Sequence, residues 1–502
     1  MRSSWPRWIA ISLIGCGAAG SPKKAVPTVD ASGATGDSSL GGSGADASMN
    51  AAGGSAALGA GPCGLASPAF CETFAAPPSS PLGRMGELSP ARWSAGRVQP
   101  NLPTGAGAAM PIGPATLPTS PGCRAGLPAV VYPDQDALIC DPNASIASKH
   151  LLVAVAAQNY GQNSYRIRQP FDFAGRVGTI VFDADSGLVP GIGPPGWIAL
   201  DITEDPVGVP SFQILINEEG GSLPNNGFEL QFNNACAGGE PKQLTVGKLH
   251  VFQNYVDTQL SPMNMPCVSI QLGYMNRYQV LVSQQQIQVF MTPFSADGTH
   301  FDAPELVFSG TVDLPFTRGY VHLTTHNHAT IKYAMGMDAA FSRWGNIGFD
   351  GPIFANWREY DAPDTLTPKA DAQGRAGYNI GYVVPDVSKG TTVTAPFSGV
   401  DPTGAASARI SLTAWYLNSG GGPLSMYTLS YRLNGNTWHN RLFSPGEISA
   451  LGGTSLGTID QMLDVLVSEL VAGSNTVEFT TTNVPTSYPA VVQNVTLVVA
   501  TQ

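Results

Sequence analysis

An all-β fold is what this sequence predicts, on three observations. Gly (58) and Pro (41) together make about a fifth of the 502 residues, a share typical of loop-rich β proteins rather than helical ones. Charged residues are only 12%. Segment after segment places β-branched or aromatic residues beside polar ones in partial alternation, while sustained helical periodicity is rare. A chain of this length exceeds one ordinary core, so two folded domains plus tails are expected.

The N-terminus predicts location. "MRSSWPRWIAISLIGCGAAG" carries Arg2 and Arg7, a short apolar run from Trp8 to Ile14, then small residues around Cys16, which is the layout of a signal peptide. The run is too short to span a bilayer. Leu13, Ile14, Gly15 and Cys16 resemble the lipobox of bacterial lipoproteins. That resemblance implies lipidation of Cys16, cleavage that leaves Cys16 as the mature N-terminus, and a membrane partner reached through the lipid anchor. With Gly17 rather than Asp next, it implies the outer membrane or cell surface of a diderm bacterium. Several acyl chains would hold stably, since each buried methylene contributes about 0.8 kcal/mol and one chain alone is marginal.

Residues 17–62 are nearly all Gly, Ala, Ser and Asp, too poor in apolar area to offset the entropy of ordering, and are expected to form a disordered tether. Six further cysteines, Cys63, Cys71, Cys123, Cys140, Cys236 and Cys267, are an even number in an exported chain and predict disulfides. Their connectivity stays open. The most local choice pairs Cys63 with Cys71, Cys123 with Cys140, and Cys236 with Cys267, each bridge contributing roughly 2 to 4 kcal/mol.

Strands are expected from "VGTIVFDAD", "FELQFNN", "RYQVLVS" and "QIQVFMT", the last two forming a hairpin in which Tyr278, Val280 and Val282 face Ile287 and Val289 across a glutamine turn. The polar stretch 361–375 is an expected linker. After it, residues 376–502 show a second set of strands, including "ARISLTAWYL", "MYTLSYRLNG" and "VVQNVTLVVA". One helix is predicted over "IDQMLDVLVSEL", with Ile459, Leu463, Leu466, Val467 and Leu470 on one stripe.

Taken together, "FCETF", "YRIRQPFDFAGRVGTIVFDAD", "RYQVLVSQQQIQVFMT" and "RWGNIGFDGP" resemble the concanavalin A-like or laminin-G-like jelly rolls over residues 63–360. The segments "YRLNGNTWHN" and "LVAGSNTVEF" resemble carbohydrate-binding or galactose-binding-like sandwiches. These resemblances imply two β-sandwiches and a glycan, protein or calcium ligand, or polysaccharide hydrolysis. Fold alone does not choose among these. Laminarinase-type hydrolases on this jelly roll carry E-x-D-x-x-E. In "ALDITE", Asp201 and Glu204 match the Asp and second Glu, but Ala199 stands at the nucleophile position, which breaks a retaining mechanism requiring two carboxyls about 5 to 5.5 Å apart.

The functional candidates cluster on strands. In "RGYVHLTTHNHATIKYAM", His322, His326 and His328 alternate with Val321 and Leu323, so the histidines share the polar face. His326 and His328 would lie roughly 6.6 Å apart, usable by one metal, but no third ligand is identifiable. A metal pair, a ligand-binding face and a structural face all remain open. Arg166 and Arg168 alternate with Tyr165 and Ile167 and are expected on a neighbouring polar face. With His322, His326 and His328 they are the predicted ligand-binding residues, bounding a shallow glycan groove, with no catalytic residue and no catalytic metal assigned. Asp338 and Asp350 beside carbonyl-rich turns keep structural calcium open against a plain turn at Asp350 and Gly351. Trp197, Trp344, Trp357, Trp415 and Trp438 are candidates for stacking on sugar rings or for the core. A net charge of −11 without basic runs argues against nucleic acid. The expected function is an exported, lipid-anchored glycan-binding protein. A polysaccharide hydrolase or lyase with an unrecognised site, and a structural or protein-interaction lipoprotein, are the alternatives.

Overall fold

The computed structural model describes residues 61–74, 88–98, 145–147, 150–156, 161–185, 196–208, 210, 223–233, 243–260, 268–269, 274–295, 300–327, 339–362, 369–370, 376–377, 392–415, 428–451, 458–481 and 491–502. Residues 1–60, with Cys16 and all but the last two residues of the tether, lie outside these, as do Cys123, Cys140, Cys236, Cys267, His328 and Asp338. Cys63 and Cys71 form a disulfide as the most local pairing predicts.

Two antiparallel sheets make the first sandwich. One runs in the order Glu305–Thr311, Gln286–Thr292, Asn276–Val282, Gly178–Asp185, Ala339–Asp350, His150–Ala156, Ser145–Ala147, with Pro68–Glu72 paired to the end of Ala339–Asp350. The other runs Val256–Leu260, Gln243–Gln253, Gly227–Asn233, Gly196–Thr203, Arg318–Asn327, Gly161–Ile167, Trp93–Val98. The expected hairpin is present in the expected register, Val280 opposite Val289 and Val282 opposite Ile287, closed by Ser283 N–H donating to the Gln286 carbonyl at 2.9 Å.

Period-2 alternation builds the core between these sheets. Ile180, Phe182, Tyr278, Val280 and Trp344 project from the first, and Tyr165, Ile198, Leu200, Phe228, Leu230, Val321 and Leu323 from the second, all buried in one cluster. Phe182 stacks on Tyr278 at 4.9 Å between centroids and meets Trp344 at 5.7 Å. Trp344 is therefore a core residue.

A second pair of antiparallel sheets follows: Trp357–Asp361, Val491–Thr501, Ala405–Trp415, Thr458–Val465, and Val393–Val400, Gly473–Thr481, Thr428–Leu433, His439–Leu442. It encloses its own cluster around Phe397, Ile410, Leu412, Leu433, Val477, Phe479 and Leu497. Its first strand starts at Trp357, four residues upstream of the expected linker, and pairs with Val491–Thr501.

The predicted helix over 459–470 is a strand, Thr458–Val465, followed by a 3-10 turn at Val467–Glu469. Ile459 and Leu463 share a face at both helical and strand periods, and the residue that would have shown alternation, Gln461, is polar. It is nonetheless fully buried, donating through Nε2 to Glu447 Oε1 at 2.9 Å. Eight ladder pairs with Ala405–Trp415 settle the conformation. The α-helix among the described residues is Pro445–Leu451, opened by a capping box in which Glu447 N–H donates to Ser444 Oγ and Ser444 N–H to Glu447 Oε2.

The sandwiches interlock. The turn after Gln243–Gln253 uses Asn254 and Tyr255 at φ 50° and 63°, the left-handed pair a two-residue hairpin turn requires. It sends Tyr255 into the second core, where its hydroxyl donates to the Asp460 carbonyl at 3.1 Å. Gly446 packs so closely on this turn that a Cβ would collide with the Asn254 carbonyl oxygen.

Candidate functional site

The strand residues that alternate with the first core form a second, polar layer on the outer side of the sheet containing Arg318–Asn327. Register places His322 between Arg166 and Asp201, Thr324 between Ser164 and Ala199, and Asp201 opposite Glu229. Alternation predicts this shared face. What it cannot predict is that the face is closed: Ser164, Asp201, Thr203, Glu229, His322 and Thr324 are each 0% exposed, and His326 only 6%.

Burial dictates the chemistry there. His322 is held well below its ordinary pKa by desolvation and then by the Arg166 charge, so its imidazole is neutral. Thr203 donates its hydroxyl proton to the Asp205 carbonyl at 2.7 Å, so its oxygen accepts from His322 Nε2 at 2.9 Å. That leaves Nδ1 to accept from Ser164 Oγ at 3.1 Å. Asp201 is pushed up to about 8 by burial, opposed by hydrogen bonds with Thr324 and Glu229, so its neutral form is favoured at neutral pH. Glu229, opposite it in the ladder, accepts from Gln231 Nε2 at 2.8 Å. Ala199 is buried as well, while Glu204 has left the strand for the surface, where Asn226 Nδ2 donates to it at 2.7 Å. Asp201 and Glu204 are therefore not a facing carboxyl pair.

The expected shallow groove needs correction at Arg166, His322 and His326, which are buried, while Arg168 stays at the edge of a cleft. Arg166, 2% exposed, forks onto both carboxylate oxygens of Glu359 at 2.9 and 2.6 Å. Arg168 bonds Glu359 Oε2 at 2.7 Å and Asp361 Oδ2 at 2.6 Å. Burial alone would raise the Glu359 pKa, but Arg166 and Arg168 hold it below the usual carboxylate range. Trp357 Nε1 donates to the same carboxylate at 3.0 Å, and Thr496 Oγ1 to Asp361 at 2.7 Å. Both acidic residues belong to the first strand of the second sandwich, so these arginines clamp one sandwich to the other. Glu359 and Asp361 escaped sequence reasoning because neither sits in a motif; the alternating acids in "WREYD" were the available signal.

At the edge of this clamp lies an open cleft of about 680 Å³. Its aromatic wall comes from the loop and strand "PIFANWREY": Phe354, Trp357 and Tyr360 line it, all half-buried. Opposite stands the turn before Trp93–Val98, with Arg92 and the exposed Ala91, joined by Arg168, Gln169 and Arg358. Arg92 bonds Glu72 Oε2 at 2.6 Å and lies 4.5 Å over the Phe70 ring. Arg358 bonds the Asp401 and Thr403 carbonyls at 2.9 Å, and Arg318 lies 3.9 Å above the Phe354 ring. Of the predicted residues, Arg168 and Trp357 line this cleft.

A second cleft of about 550 Å³ between the sandwiches is lined by Asp205, Asp460, Asp464, Arg409, Arg441 and Tyr255 among others. Its arginines are turned on acids: Arg409 on Asp205 at 2.9 Å and Arg441 on the fully buried Glu447 at 2.7 Å. Trp438 is half-buried with Arg432 4.6 Å over its ring. The side chains of Trp197 and Trp415 lie outside the described residues. Asp350 ends a strand, accepting from Arg176 Nη2 and Thr179 N–H, each at 2.9 Å. Gly351 after it has φ 121°, which favours glycine. Among the described residues no group of three or more His, Cys, Asp or Glu could hold a metal ion.

No protein-family model matches the chain, and no curated protein matches it. Solved structures do. The Ca2+/Man3GlcNAc-bound exoplasmic/lumenal domain of VIP36 aligns at 13% identity over 43% of this chain and 85% of that one, TM-score 0.30. Carbohydrate binding module CBM66 from Bacillus subtilis aligns at 11% over 42% and 92%, TM-score 0.25. LamA from Z. galactanivorans, in complex with laminaritriose and laminaritetraose, aligns at 10% over 57% and 98%, TM-score 0.32. The assignment of this chain as a β-sandwich protein rests on its own strand pairing and cores.

Proposed function

We propose that this protein binds glycans, and that its binding surface is the cleft between Arg92 and the strand Trp357–Asp361. One observation carries this: three half-buried aromatic residues, Phe354, Trp357 and Tyr360, line the same open cleft as three arginines and a glutamine. Aromatic faces pack on the C–H faces of sugar rings, while fixed N–H donors orient hydroxyl or carboxyl oxygens. Pockets with a largely apolar wall and a few convergent polar groups are the usual form of a ligand site. The buried layer around His322 and Asp201 holds groups of the right chemical kind, but they meet each other rather than solvent.

The signal-peptide layout and the lipobox resemblance support export and lipid anchoring through Cys16. Cys16→Ser is expected to release the protein from membranes or leave the uncleaved precursor; a mature, membrane-bound variant would refute anchoring there. For binding, a glycan screen run together with hydrolysis assays on the same polysaccharides should show retention without released sugar, lost in Phe354→Ala. Released reducing sugar would favour the hydrolase reading instead.

A further inference from the structure

Resting on the glycan-binding reading, we infer that the ligand of the Phe354–Trp357 cleft is an acidic polysaccharide, recognised through carboxylate or sulfate groups. The chain as a whole repels anions, with 36 acidic against 25 basic residues. Arg92, Arg168 and Arg358 line the cleft with a single carboxylate, Glu359, whose side chain is 1% exposed; Arg168 is spent on Glu359 and Asp361, which leaves Arg92 and Arg358 to meet a ligand. Arg318, 52% exposed and paired with Asp172 at 3.1 Å, lies over the Phe354 ring beside the aromatic wall.

The charges of this set differ in availability. Glu359 is wholly engaged by Arg166 and Arg168, so it offers little repulsion. Arg92 and Arg358 have side chains 40% and 36% exposed, and their acidic partners, Glu72 and Asp401, are absent from the cleft wall. The Arg358–Asp401 pair, 36% and 52% exposed, is of the kind that contributes only about 0 to 1 kcal/mol, so an incoming anion exchanges with it at little cost. The described contacts of Arg358 all run from Nη1, which leaves the rest of a five-donor fork matched to the two oxygens of a carboxylate or sulfate. Rings and guanidinium groups together fit a sugar that carries its charge beside a C–H face. The other cleft, with Asp205, Asp460 and Asp464 in its wall, offers no such balance.

Affinity gel electrophoresis of the full chain in polygalacturonate, dextran sulfate and neutral dextran tests this. Retention is expected in one or both acidic polymers and not in dextran, the two acidic arms separating carboxylate from sulfate recognition. Raising salt from about 0.05 to about 0.5 M should weaken retention at least tenfold through screening. Arg358→Gln and Arg92→Gln should each reduce it several-fold at unchanged melting temperature. Ala91→Glu removes no contact and adds a carboxylate at the exposed rim, so it should abolish retention in a folded protein. Equal or stronger retention in neutral dextran, or acidic retention insensitive to salt and to Ala91→Glu, would overturn the acidic preference while leaving glycan binding standing. Retention in none of these polymers, or in any member of a wider glycan panel, would defeat both.

Discussion

The polar layer around His322 and the cleft around Trp357 share an ingredient list, imidazole or aromatic rings beside arginines and acids, yet they do opposite things. In the layer the polar groups meet buried neighbours: His322 meets Ser164 and Thr203, Arg166 meets Glu359, and Asp201 meets Thr324. In the cleft, guanidinium groups and ring faces remain partly in solvent. The difference lies in coverage, not composition. Desolvation turns a row of polar strand residues into structure, and leaving them wet keeps them for ligands.

The largest effect that should sharpen this contrast is on Glu359. Replacing it with Gln leaves the buried Arg166 without a counter-charge and Arg168 with Asp361 alone, and should cost about 3–5 kcal/mol, read by denaturant unfolding at neutral pH. The wild-type contribution has a defined sign. Its folded-state pKa is depressed, so the stabilisation is present above the ordinary carboxylate range and is lost as pH falls through the folded value. Acid sensitivity of that origin should vanish in Glu359→Gln; an unchanged acid limb would place the clamp elsewhere.

Asp201 should behave in the opposite direction and more weakly. Its folded pKa, about 8, lies above the unfolded one, so its stabilisation is complete below about pH 4 and is lost as pH rises toward 8. Asp201→Asn has no charge to lose on burial, and should raise stability near pH 8 by on the order of 1–3 kcal/mol. A melting temperature that falls equally at pH 5 and pH 8 would contradict an elevated Asp201 pKa.

In the cleft, the smallest change in stability should accompany the largest change in binding. Phe354→Ala removes a half-buried ring that Arg318 covers, costing at most about 1 kcal/mol, yet it should reduce glycan retention at least tenfold. A large loss of stability would move Phe354 from the binding wall into the scaffold.

Much of the fold was legible in the sequence because alternation is a local property: the hairpin at 276–292 and the two faces of 318–327 follow from side chains two residues apart. Register came with it, Val280 opposite Val289. The strand at 458–465 was not legible, because Gln461 put a buried amide where alternation needed an apolar residue, satisfied by a helix residue fourteen positions away. The site was legible only in part. Arg168 and Trp357 could be named, but the cleft assembles residues from 68 to 360, and no local pattern reports that Glu359 crosses from one sandwich to close the polar face of the other.

Hydroxyl-radical footprinting of the protein with and without a retained polysaccharide compares the two regions in one experiment. Binding at the junction cleft predicts protection at Phe354, Trp357 and Tyr360 and no change at His322 and His326, which are already shielded in the free protein. Unchanged labelling at residues 354–360, with protection appearing elsewhere, would contradict it.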